Sequence, residues 1–268
     1  MTPVVKSARL STGVTLPYVE QGDRAGIPVL FLHGVTDSLH SFDLVLPHLS
    51  ERIHAFGLTQ RGHGDADRPP DGYRARDFAA DVEAFLDAVG VASAVVVGHS
   101  MGGTNAQRFA IDHPQRARGL VLAGSFAGYR DKPEIVEFGR EVAALADPID
   151  AAFVREFQHT TLAQPIPPAF FELVVRESLK VPARVWHTTF GAFLDDECTA
   201  ELAKITAPTL MLWGTRDAFA NRGDQDALLS AIAGSRLIVY DGAGHALHWE
   251  EPKRFAADVE AFAAACTA

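Results

Sequence analysis

The stretch VVVGHSMGG, Val95 to Gly103, changes character halfway along. Three β-branched apolar residues suit a strand buried on both faces, as in the interior of a parallel sheet. The run then breaks at a glycine, a histidine and a serine, and MGGTNAQRFAIDHP resumes with apolar residues at helical spacing. Strand, G-x-S-x-G, helix is the arrangement of a nucleophile elbow, a sharp turn that holds a serine hydroxyl above the end of a sheet. Gly98 and Gly102 would give neighbouring backbone the clearance that a Cβ would block. As a bare pattern the motif is weak, and its position between a strand and a helix is what gives it weight.

The same alternation extends in both directions. VTLPYVEQG (14 to 22), PVLFLHG (28 to 34), IHAFGL (53 to 58), SAVVVGH (93 to 99), RGLVLAGS (118 to 125), PTLMLWG (208 to 214) and RLIVYDG (236 to 242) read as strands. RDFAADVEAFLDAVG (76 to 90) and DQDALLSAIAG (224 to 234) carry apolar residues at helical spacing. This β-α-β alternation predicts the α/β class, a mostly parallel sheet with helices on both faces. From about Phe126 to about Thr206 helical patterns and six prolines replace the strand signals. The expected organisation is a core of residues 1–125 and 207–268, with a helical cap inserted at 126–206.

Composition narrows the function classes. The 268 residues carry a formal net charge of -10, and no Lys/Arg cluster offsets it, which argues against nucleic acid as a partner. No run of about 18 apolar residues suggests a membrane span, and the opening MTPVVKSARLSTG lacks the apolar core of a secretory leader, so a cytoplasmic location is expected. Cys198 and Cys266 have no metal-type spacing, and a disulfide between them is not expected. The 11 histidines form no H-E-x-x-H motif, so no metal is expected, and hydrolysis by a serine, a histidine and water would require no cofactor.

A serine hydroxyl is a poor nucleophile at neutral pH and needs a base that is itself oriented by an acid. LMLWGTRDAF puts Asp217 just past one strand, and YDGAGHALHWEEP puts His245 just past the next. The order Ser100, Asp217, His245, each at the carboxyl edge of a parallel strand, would bring all three to one crevice. His248, three residues on, is the competing base, and its position suggests a helix start. The oxyanion of an attacked carbonyl needs donors. Met101 N–H, at the start of the following helix, is one candidate, and Val35 N–H, in the turn after Gly34, is the other.

These motifs together resemble the α/β-hydrolase fold superfamily: the His33–Gly34 turn, the QRGHGDADRP loop (60 to 69), the elbow, the acid turn and the Gly-His turn near the end. The resemblance runs from residue 29 to 252. It implies a mostly parallel eight-stranded sheet flanked by helices, with an inserted helical cap. It also implies a carboxylic ester hydrolase, an esterase or lactonase, that needs only water beside a small to medium, largely apolar substrate. Relatives often carry an acidic residue at the place of Thr59 and a serine at that of Ala66, so the loop near Arg61 is expected to be wired differently. Some place the acid after the strand LVLAGS, where this chain has Gly124 and Ser125. Haloalkane dehalogenases and epoxide hydrolases of the superfamily use an Asp nucleophile, against which Ser100 argues. Cofactor-free haloperoxidases or perhydrolases, carbon-carbon bond hydrolases and hydroxynitrile lyases share the scaffold and remain alternatives. A ligand receptor with a nearly idle hydrolase pocket is the alternative from another class. The cap segment is rich in aromatics (Phe126, Tyr129, Phe138, Phe153, Phe157, Phe170, Phe171, Trp186, Phe190, Phe193), a minority of which would line an apolar pocket. Trp249 could pack beside His245 or between core and cap.

Overall fold

The computed structural model describes residues 4–130, 132–195 and 198–266. Among these residues the strands are β1 (Lys6–Arg9), β2 (Thr15–Gln21), β3 (Ile27–Leu32), β4 (Ile53–Leu58), β5 (Ala94–His99), β6 (Ala117–Ala123), β7 (Thr209–Gly214) and β8 (Arg236–Tyr240). They form one sheet in the order β1-β2-β4-β3-β5-β6-β7-β8. The pairs β1·β2 and β2·β4 are antiparallel, and every pair from β4 to β8 is parallel. The helices among the described residues are α1 (Ala75–Ala88), α2 (Met101–Asp112), α3 (Pro133–Ala143), α4 (Ala151–Thr160), α5 (Pro168–Ser178), α6 (Ala183–Asp195), α7 (Arg222–Ala231), α8 (Leu247–Glu250) and α9 (Pro252–Ala265).

The two-residue period of the strands sorts their side chains into two layers. Leu30, Leu32, Val96, Leu120, Leu122 and Met211 face one way, where Phe85 of α1 and Phe109 of α2 cover them. Val29, Phe31, Val95, Val97, Val121 and Leu212 face the other, against Phe255, Val259 and Phe262 of α9. Because β5 is central and covered on both sides, every one of its residues is buried, which is why its sequence reads as an unbroken apolar run. A third apolar cluster joins Phe157, Val185, Trp186 and Phe193 of the helical segment to Met101 and Ala220, at the ends of core elements. That cluster packs α3 to α6 over the carboxyl ends of the parallel strands.

Position 59, just before the QRGHGDADRP loop, does not hold Arg61. Arg61 makes a bidentate pair with Asp81 of α1, both N–O distances being 2.6 Å, and donates to Gly72 O at 2.8 Å. Thr59 Oγ1 accepts from Leu39 N at 3.0 Å. The partner of the buried guanidinium thus comes from α1 and not from position 59. Among the described residues no helix is long and apolar enough to cross a membrane, and no disulfide joins Cys198 to Cys266.

Candidate active site

The elbow is strained at its serine. Ser100 has φ 52 and ψ -116, outside the regions that L-residues ordinarily occupy. The surrounding glycines make the turn possible through close approach. A Cβ on Gly98 would lie 2.2 Å from Gly102 O, and one on Gly102 would lie 2.2 Å from Leu32 O. Both obstacles are backbone, so neither can move aside. The Ser100 N–H donates to Ala123 O at 3.0 Å, and Gly103 N–H donates to Ser100 O at 2.8 Å, fixing the turn on both sides.

Asp217 sits in the turn after β7. Its Oδ1 accepts from Phe219 N at 2.8 Å and Ala220 N at 2.9 Å, and Trp213 Nε1 donates to Ala220 O at 2.8 Å to close that turn. The His245 Nδ1–H faces both carboxylate oxygens, at 2.9 and 3.0 Å, and the Asp217 side chain is wholly buried. Donation from Nδ1 leaves Nε2 as the acceptor nitrogen of the neutral ring. Below it, His99 Nε2 donates to His245 O at 3.0 Å. Burial, with His248 and His245 close by, holds His99 well below the ordinary histidine range, so it stays a neutral donor. On the other flank, Ala246 N–H donates to Thr161 O at 3.0 Å, tying the His245 turn to the end of α4.

Ser100 and His245 line one pocket, with Val35, Met101 and a largely aromatic wall from the helical segment. Among the described residues no hydrogen bond joins the Ser100 hydroxyl to His245; the two meet as neighbouring walls of the pocket. Neither the Val35 N–H nor the Met101 N–H has an acceptor among those residues, so two backbone donors stand unpaired beside the serine. The turn that presents Val35 closes from Asp37 N–H onto Gly34 O at 3.3 Å. Its left-handed residue is Thr36, with φ 69, and not Gly34. Gly34 is required instead by proximity, since a Cβ there would lie 2.9 Å from His99 Nδ1.

The remaining candidates separate cleanly. His248, in α8, is buried away from the pocket with Nε2 3.0 Å from Ser41 Oγ, and burial lowers it to about 3. His33 donates from Nδ1 to Gly34 O at 2.7 Å and accepts from Gln60 N at 3.0 Å, while His63 donates to Arg61 O at 2.8 Å. The alternative acid position is glycine, and a Cβ on Gly124 would stand 3.0 Å from His245 Nδ1, the nitrogen Asp217 already occupies. Of the aromatics, Phe126, Tyr129, Phe138, Phe157, Phe190 and Phe193 line the pocket. Phe170 packs on Trp249, whose Nε1 donates to Ser41 O at 2.8 Å, so Trp249 joins core to helical segment and does not flank the base. Phe219 also lines the pocket; its place two residues past a candidate acid was the one signal that could have marked it. Among the described residues no cluster of three or more potential metal ligands occurs.

The α/β-hydrolase fold family model matches residues 27–252. The chain is 28% identical over 272 residues to the non-heme chloroperoxidase of Streptomyces lividans, covering 94% of this chain and 97% of that protein. It is likewise 28% identical over 279 residues to the 2-hydroxymuconate semialdehyde hydrolase of a Pseudomonas species, covering 98% and 95%. Among solved structures it resembles an esterase from a Rhodococcus species, with a TM-score of 0.85, 26% identity and coverage of 98% and 99%. The extent of the family match and the elbow geometry agree: the chain belongs to the α/β-hydrolase fold family.

Proposed function

We propose that the chain is a serine hydrolase that cleaves short, uncharged carboxylic esters or small lactones through an acyl-enzyme, with α3 to α6 as a cap over the pocket. The observation that carries this reading is the pair of unpaired amides, Val35 and Met101, beside Ser100 in an apolar pocket. An oxyanion forming on an attacked carbonyl would give both amides an acceptor. In this reading Ser100 Oγ attacks the carbonyl carbon while its proton passes to His245 Nε2. Asp217 holds Nδ1–H and stabilises the imidazolium. The leaving alcohol takes the proton from His245, and water activated by the same ring then releases the acid and frees Ser100.

The pocket supports a restriction on substrate. Among the described residues no Lys, Arg, Asp or Glu lines it, and the Tyr129 hydroxyl is already engaged by Thr104 Oγ1 at 2.5 Å. A substrate carboxylate would be desolvated there without a partner, which is costly. This disfavours an acid such as the one in the name of the Pseudomonas relative. The cavity is about 40 Å³, and a water needs about 10–15 Å³ on that measure, so an acyl group of acetyl size fits best. A groove of about 340 Å³ shares Ile135, Phe138, Phe157 and Phe219 with the pocket and gives a bulkier alcohol somewhere to lie.

The test is turnover of 4-nitrophenyl acetate with Ser100→Ala as the blank, where the loss should be about 10³-fold or more. Retained activity in a folded Ser100→Ala protein would refute the reading. The chloroperoxidase relative supports a second reading, in which peroxide replaces water as the acyl acceptor. Peracid formation from acetate and hydrogen peroxide, measured beside ester hydrolysis, separates the two.

A further inference from the structure

The turn that carries Val35 is held from the far side by a buried polar cluster in which the proposed triad takes no part. Gln158, in α4, reaches across from the helical segment. Its Nε2 lies 2.8 Å from Ser178 Oγ, 3.0 Å from Asp37 Oδ1 and 3.2 Å from Thr36 Oγ1. Thr36 Oγ1 and Ser178 Oγ are themselves 3.1 Å apart. All four side chains are buried, and Asp37 N–H closes the turn onto Gly34 O at 3.3 Å. One primary amide carries two protons, so three oxygens in reach mean that the hydroxyls complete the network as donors.

The conformation this cluster holds is an unfavourable one. Thr36 is β-branched and stands at φ 69, where such residues are rare outliers. A conformation of that kind persists only where surrounding contacts impose it, and the Thr36 hydroxyl is gripped by two side chains from α4 and α5. Gln158 itself does not line the pocket, although Phe157 and Thr161 on either side of its helical turn do. Resting on the hydrolase reading above, we propose that Gln158 is a positioning residue: through Thr36 and Asp37 it holds the Val35 amide toward the oxyanion, so that the oxyanion site is complete only when the helical segment is docked. Substrate binding, which depends on the aromatic wall, does not need Gln158. The acylation transition state does.

The experiment uses Gln158→Met, nearly isosteric but without a donor, in the full chain, with kcat and KM for 4-nitrophenyl acetate measured separately. The expected result is a fall in kcat of about 10- to 100-fold, part of what losing one oxyanion donor costs, with KM unchanged within about twofold. Thr36→Gly added to that variant should restore most of the lost kcat, because glycine adopts positive φ without being held. A general loss of packing would not be repaired by a second truncation. Ser178→Ala, a smaller change to the same cluster, should lower kcat several-fold and be rescued in the same way, and it serves if Gln158→Met does not fold. Wild-type kcat in a folded Gln158→Met, equal changes in kcat and KM, or no rescue by Thr36→Gly would overturn the proposal while leaving the hydrolase reading intact. A wild-type protein that hydrolyses no ester, or a Ser100→Ala protein as active as wild type, would overturn both.

Discussion

Asp37 offers a stability prediction whose sign is fixed by burial. Its carboxyl is enclosed with no ion-pair partner among the described residues, facing Gln158 Nε2 at 3.0 Å and Ser41 Oγ at 3.3 Å, and burial raises it from 3.8 to about 7. Between those values the folded chain holds a proton that the unfolded chain has released. Folding stability is therefore greatest on this account below the unfolded value, and it is lost as pH rises toward the folded one. Three pH units at 1.36 kcal/mol each give a loss of about 4 kcal/mol across the window. Asp37→Asn cannot ionise and should not show it. Buried histidines act in the opposite sense: His63 is lowered to about 4 and His248 to about 3, so their contribution is lost as pH falls below 6.5. These groups are common to both proteins and cancel in the difference. Urea unfolding of wild type and Asp37→Asn at about pH 5 and about pH 8 should show the variant gaining about 3 kcal/mol relative to wild type at the higher pH, because about two of the three units lie above pH 5. A difference independent of pH would refute the account of Asp37 as a carboxyl kept protonated by burial.

Other outcomes follow from single contacts. Gly98→Ala would set a methyl 2.2 Å from Gly102 O, so thermal unfolding should show a loss of about 3 kcal/mol and aryl acetate turnover should collapse with it. Asp81→Asn would leave the Arg61 guanidinium, 7% exposed, without its carboxylate; denaturant midpoints should report a cost of about 3 kcal/mol or more. Phe219→Ala removes part of the wall between the pocket and the adjoining groove. The ratio of kcat/KM for hexanoate over acetate esters should rise about tenfold, and an unchanged ratio would count against the size argument.

The fold was legible where burial is symmetric. Strands covered on both faces, β3 to β7, appear as continuous apolar runs because both of their side-chain rows are in the core. β1 was not legible. Lys6–Arg9 is an edge strand with one buried residue in four, and its pairing with β2 is carried by backbone hydrogen bonds that no side-chain pattern encodes. The helical segment was legible in class, from its prolines and its spacing, but not in the sorting of its aromatics. Whether a phenylalanine faces a pocket or a neighbouring helix depends on packing angles between α3, α4 and α6, and Phe138 and Phe170 look alike in sequence while only the first lines the pocket.

The same limit governs the site. Asp217 and His245 could be placed together because each follows a strand of known position in a parallel sheet, and topology then does the work of a distance restraint. Gln158 and Asp37 have no such restraint. They lie 121 residues apart in the chain, one on a helix and one in a loop, and polar residues in such places are ordinarily solvated. Their burial follows only from how the helical segment docks. An apolar contact at that seam would tolerate small shifts of the segment, whereas a directional network with a buried carboxyl does not. The left-handed Thr36 is what connects this seam to the chemistry, since a glycine there would have made the turn indifferent to its partners. The threonine makes the turn depend on α4 and α5, and that dependence is the reason to look for control of Ser100 in residues that never touch the pocket.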